Sequence, residues 1–141
     1  MATLTGGGSA ERCGMRCRLS WIRPMSVTAG CARRRPGACS PHGSALKDKL
    51  LWTKGDPSFF HSSNLATRGF CSACGTPLTS AYNDPRARFD VTMGSLDSPE
   101  AAPVTRQYGV ESRIGWVRFC EHVPCAVTGE HDPSFFAGME N

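Results

Sequence analysis

The chain has 141 residues, 40% of them hydrophobic, with 16 Lys and Arg against 12 Asp and Glu; that is enough for one globular domain around a single core and too little for two. No apolar run is long enough to cross a membrane and the first residues lack a continuous apolar stretch, so a cytoplasmic protein without a secretory leader or membrane partner is expected. Eight cysteines, 10 prolines and 15 glycines exclude a bundle of long helices and favour strands, turns and metal or disulfide clips.

In chain order, the first segment is basic. Between Glu11 and Leu50, nine Lys and Arg side chains face two acidic ones, a net of +7, so the remainder sums to −3. The overall charge of +4 therefore describes one segment, and no nucleic-acid partner is expected for the main body. Residues 1–45 show neither helical spacing nor sustained alternation and read as an irregular basic segment. A transit peptide or a solvated basic arm would have the same composition.

Pattern begins near Lys47, with Leu50, Leu51 and Trp52, a Gly55-Asp56-Pro57 turn, and Phe59-Phe60. Leu65 to Phe70 reads as a strand that leads into the Cys71-Ser72-Ala73-Cys74 turn, and Thr76 to Tyr82 as its returning arm. In Arg88 to Met93, the residues Phe89, Val91 and Met93 share one face of an extended chain. Ser98 to Ala102 permits a short helical turn; Gln107 to Val110 and Arg113 to Phe119 are further strand candidates. The body, residues 46–126, is thus a mainly β domain, followed by a tail over 127–141. Asp-Pro-Ser-Phe-Phe occurs at both Asp56 and Asp132, but the flanking residues differ and no structural repeat follows.

The site with clear chemistry is Cys71-x-x-Cys74-Gly75. Two thiolates at this spacing converge on one ion, and Gly75 offers the positive φ that such a turn needs. A redox dithiol is the competing chemistry, but Gly75-Thr76-Pro77 opposes the helix that usually follows one. Zinc is the expected cofactor, with Cys71 and Cys74 as ligands. A closed structural zinc needs four donors, and no partner is evident from spacing among Cys13, Cys17, Cys31, Cys39, Cys120 and Cys125. His42, His61, His122 and His131 read as ordinary histidines, and Cys120 and Cys125 are equally open as a satellite metal pair and as two buried thiols.

Four ordered blocks resemble the CENP-V/GFA family, the glutathione-dependent formaldehyde-activating enzymes. They are Leu51-Trp52-Thr53-Lys54-Gly55, Arg68-Gly69-Phe70-Cys71-Ser72-Ala73-Cys74-Gly75-Thr76-Pro77-Leu78, Asp90-Val91-Thr92-Met93-Gly94-Ser95-Leu96-Asp97, and Glu111-Ser112-Arg113 with Trp116. The resemblance implies an Mss4-like β fold with two zinc sites and a carbon–sulfur lyase acting on glutathione–aldehyde adducts such as S-hydroxymethylglutathione. It also implies that an N-terminal Gly-Gly-Cys-x-Cys-Gly completes a four-cysteine zinc with Cys71 and Cys74. A Cys-His-Cys-x-x-Cys motif would supply three cysteines to a second, open zinc.

This chain departs from that pattern at its front end. Gly8, Ser9 and Ala10 follow Gly6-Gly7 where Cys-x-Cys is expected, and no Cys-His-Cys-x-x-Cys occurs, so no catalytic residue can be named. A shifted reading frame from about Gly8 to Ala45 accounts for this: read out of register, codon degeneracy lets residues 9–17 and 25–45 spell both missing motifs. Genomic DNA without a pair of compensating indels would end that idea. The expected partner is a small glutathione-like thiol or its aldehyde adduct. The alternative is a non-enzymatic zinc-ribbon interaction module. Arg68, Arg106 and Arg113 are equally open as carboxylate holders and as surface ion-pair partners.

Overall fold

The computed structural model describes residues 3–18, 23–27, 39–83, 88–118 and 124–126. It is mainly β. The sequence reads as one core, whereas the chain divides into two compact units, one of residues 1–24 and 42–103 and one of 25–41 and 104–141.

The first unit contains a three-stranded antiparallel sheet in which β2 (Gly14–Arg18) lies between β1 (Thr3–Gly7) and β5 (Leu51–Lys54). Its second sheet is an antiparallel array of β4 (Ser40–Leu46), β9 (Arg88–Thr92), β8 (Pro77–Tyr82), β7 (Ala66–Phe70) and β6 (Ser58–His61), paired in that order. Leu4, Met15 and Cys17 from the first sheet meet Ala45 and Val91 from the second, together with Leu50, Met93, Leu96 and Ala102. Met15 and Val91 are fully buried, and each such side chain stabilises the fold by roughly 1.5–3 kcal/mol relative to exposure.

The alternation read in Arg88 to Met93 is present, with Val91 and Met93 buried and Phe89 half-buried against the core. The β7–β8 hairpin also forms as expected, with the Cys71–Cys74 turn at its tip. Gly69 fits because its partner strand leaves no room: a Cβ there would lie 2.4 Å from Thr79 Oγ1 and 2.9 Å from the Phe59 ring.

Two expectations fail locally. The sequence places the first strand near Lys47, yet β1, β2, β3 (Arg23–Val27) and β4 precede it. In β1 and β2 the buried positions are Leu4 and Gly6, then Met15 and Cys17; alternation is real, but each run is five residues long and half of its buried positions carry Gly or Cys. Arg113 to Phe119 is not a strand over its described part. A 3-10 turn at Val110–Ser112 precedes it, and Gly115 and Trp116 form a second turn.

In the second unit, β10 (Gln107–Tyr108) pairs in parallel with β3 and with β11 (Cys125–Ala126). The Ser26 amide donates to the Arg106 carbonyl at 2.9 Å and the Gln107 amide to the Pro124 carbonyl at 2.9 Å. No helix among the described residues is long and apolar enough to cross a membrane.

Candidate functional site

Two turns of the first unit meet. One is the knuckle: the Gly75 amide donates to the Cys71 carbonyl at 2.7 Å and the Cys71 amide to the Thr76 carbonyl at 2.9 Å, so the chain reverses within six residues. Gly75 has φ 75°, with open space where a Cβ would stand, so its backbone conformation is what calls for glycine.

The other is the loop from Gly8 to Cys13 that joins β1 to β2. The Gly8 amide donates to the Cys13 carbonyl at 3.0 Å and the Glu11 amide to the Gly8 carbonyl at 2.8 Å, with Glu11 in the left-handed region at φ 53°. Backbone packs on backbone here. A Cβ on Gly6 would lie 2.3 Å from the Ser95 carbonyl oxygen, and one on Gly7 only 2.0 Å from that of Cys13.

Gly8 brings the two turns together. A Cβ at that position would stand 2.8 Å from the Cys71 sulfur and 3.2 Å from the Cys74 sulfur. The expected pair thus flanks one point in space, and that point belongs to the residue where the family motif calls for its first cysteine. Ser9 continues the contact, its amide donating to Thr76 Oγ1 at 3.2 Å.

The three cysteines nearby differ in character. Cys71 is fully buried and packs with Cys13 and Leu78. Cys74 is exposed. Hydrogen bonds to its sulfur from the Ser9 hydroxyl, then from the hydroxyl and amide of Thr76 and the amide of Ala10, hold its pKa down at about 6. Cys13, on the loop's far arm, is buried; its thiol donates to the Asp56 carbonyl at 3.6 Å, and it packs beside Cys71. Burial first, and then that sulfur neighbour, push its pKa up. Sequence spacing gave no sign of the Cys13–Cys71 contact, because the two residues are far apart in the chain. Beside these turns lies a cavity of about 520 Å³, whose lining includes Gly6, Gly8, Cys13, Thr76 and Asp97.

The other sequence candidates stand elsewhere. Cys17 is a core thiol whose pKa is raised by burial. Cys39 is half-buried. Cys125 is exposed, which does not fit the buried-thiol alternative, and accepts a hydrogen bond from Gln107 Nε2 at 3.4 Å. His42 is buried on β4, with its pKa lowered to about 4 by desolvation and then by the Arg68 charge. His61 is exposed and bonds Thr67 Oγ1 at 3.1 Å. Arg68 is held by hydroxyls, donating to Ser80 Oγ at 2.6 Å and to Ser62 Oγ at 3.4 Å. Arg106 and Arg113 are exposed. Cys31, Cys120, His122 and His131 lie outside the described residues.

The sequence model of the glutathione-dependent formaldehyde-activating enzymes (GFA) matches residues 23–111, more than half of the chain. The chain belongs to this family. The GFA match begins 28 residues ahead of the Leu51 block that carries the resemblance. By structure, the chain is similar to a Rhodobacter sphaeroides protein whose crystal structure was a structural genomics target. The TM-score is 0.51 at 14% identity, over 86% of this chain and 99% of that one. A likeness at that identity speaks for the fold alone. No curated protein matches.

A resident zinc of the GFA type was tested against the residues present. A closed site needs four donors around one ion. Gly8 and Ala10 offer none, and among the described residues no three His, Cys, Asp or Glu form a group that could hold a metal. The described residues do not fit a closed four-thiolate zinc.

Proposed function

We propose that this chain is a carbon–sulfur lyase scaffold of the GFA family, directed at glutathione–aldehyde adducts of the S-hydroxymethylglutathione type, in a form that has lost its catalytic thiolates. Cys71 and Cys74 are the surviving half of a zinc site. Gly8 and Ala10 stand in the places of the other half, and a reading frame shifted from about Gly8 to Ala45 is the origin of the loss.

The observation that carries this reading is the space around Gly8. A Cβ built there would overlap Cys71, 2.7 Å from its Cβ and 2.8 Å from its sulfur, and stand 3.2 Å from the Cys74 sulfur, so the loop reaches both sulfurs with a residue that supplies no ligand. An open three-thiolate ion would supply the Lewis acid that holds a thiolate or polarises an aldehyde oxygen, and the described residues form no group that could hold one.

The test is zinc content of the purified full chain, together with formation of S-hydroxymethylglutathione above the spontaneous rate. Substoichiometric zinc and no rate enhancement are expected. Two tightly bound ions per chain, or catalysis, would overturn the reading.

A further inference from the structure

Three sulfurs without a closing ion have other chemistry open to them. Cys13 and Cys71 are both buried and share a packed cluster with Leu78. Cys74 stands at the surface. Its sulfur and that of Cys71 both face Gly8, lying 3.2 and 2.8 Å from where a Cβ on that residue would stand. Thr76 Oγ1 lies 3.1 Å from the Cys74 sulfur, and the Ser9 hydroxyl also bonds it. A solvent-facing thiol with hydroxyl partners backs onto a second thiol, which backs onto a third. That is the layout of an exchange chain, in which access decides which thiol reacts first.

We propose that Cys74, Cys71 and Cys13 form a thiol–disulfide exchange site. Cys74 takes up sulfur from a low-molecular-weight disulfide, and the oxidation ends as a Cys13–Cys71 disulfide that ties the β1–β2 loop to the knuckle. The Cys74 sulfur attacks one sulfur of the small disulfide; the S–S bond breaks, a mixed disulfide forms on Cys74, and the first small thiol leaves with the proton Cys74 gave up. The Cys71 sulfur then attacks the Cys74 sulfur, releasing the second small thiol with the Cys71 proton. Finally Cys13 attacks Cys71, and its proton returns to Cys74. In sum, two protein thiols are oxidised to one disulfide, one small disulfide is reduced to two thiols, and Cys74 is regenerated.

The proposal rests on the reading that no ion is held between these sulfurs, so the experiment measures both. The full chain is purified under reductant, its zinc is quantified, and it is incubated with oxidised glutathione. Peptide mapping after alkylation then locates each cysteine. A metal-poor chain with Cys13 linked to Cys71, Cys74 alkylated, and two glutathione thiols released per chain is expected. Cys74→Ser, at an exposed position, should slow linkage by roughly tenfold or more, because Cys13 and Cys71 are buried away from the small disulfide. Cys71→Ser should instead stop at a stable Cys74–glutathione adduct, with the circular-dichroism spectrum unchanged as the check that the fold persists. The linked form should melt about 5 °C or more above the reduced one, because the bridge closes a long loop.

Two outcomes overturn the proposal. A metal-poor chain in which Cys74 carries glutathione while Cys13 and Cys71 stay free overturns it alone. A chain that holds one zinc and resists linkage overturns it together with the reading beneath it.

Discussion

The knuckle at Cys71–Thr76 and the loop at Gly8–Cys13 meet at Gly8, and they differ in chemistry. In the knuckle, backbone and chemistry agree: the turn is closed by backbone bonds, Gly75 takes the positive φ it needs, and two cysteines sit at ligand spacing. In the loop the backbone is equally specific, with Gly6 and Gly7 pressed against carbonyl oxygens, but where the knuckle has two cysteines at ligand spacing the loop has Gly8, Ser9 and Ala10, and its one cysteine, Cys13, packs on Cys71 from the far arm. Steric fit and ligand chemistry are separate properties of a site. Here the loop comes up against the sulfurs without a donor at Gly8 or Ala10.

The largest effect that would sharpen this comparison is repair of the loop. Gly8→Cys with Ala10→Cys should take zinc from substoichiometric to one ion per chain. Apparent binding of about 10–16 kcal/mol in small zinc peptides sets the ceiling for the stability gained, and a gain of several kcal/mol should appear in chemical denaturation. No gain of metal would show that the loop has lost the geometry as well as the donors.

The knuckle is predicted to lean on Leu78, fully buried beneath Cys71 and Cys13. Leu78→Ala should cost about 2–5 kcal/mol, read from the urea midpoint at unchanged slope.

Outside both halves, His42 gives a pH signature that separates general acid sensitivity from events at the site. Its folded pKa of about 4 lies below the ordinary 6.5, so between those values the unfolded chain binds the proton and the folded chain does not. Stability from this group is complete above pH 6.5 and is lost as pH falls toward 4, amounting to roughly 3 kcal/mol. Unfolding free energies at pH 7 and pH 4.5 should differ less in His42→Gln than in the parent chain.

Within the loop, Gly8→Ala should be destabilising by about 1–3 kcal/mol, because the added methyl overlaps a buried cysteine that has little freedom to move. The contrast with the gain from paired cysteines at Gly8 and Ala10 is the sharpest single test of the comparison. Smallest is Glu11→Gly. Relief of a left-handed residue, partly offset by greater freedom in the unfolded chain, should change stability by no more than about 1 kcal/mol; thermal melts would resolve its sign.

Legibility followed the range of the interactions. Val91 and Met93 were readable because a strand's alternation is written in adjacent residues, and the Cys71–Cys74 turn because its ligand spacing and its Gly75 are local. Leu4 and Met15 were not, since Gly6 and Cys17 at the alternate buried positions carry too little apolar surface to mark a strand. Arg113 to Phe119 had strand-like composition and became turns instead. The exposure of Cys125 left no mark in its neighbours.

What the sequence determined by itself was the β character of the body, the knuckle and its two sulfurs, and the absence of cysteine motifs at the front, all properties of residues close together along the chain. Only the tertiary structure decided that Gly8 faces both sulfurs and that Cys13 reaches Cys71. Those contacts depend on how two hairpin tips from distant parts of the chain are carried together by sheet pairing and a shared core, and no local pattern encodes where such tips meet.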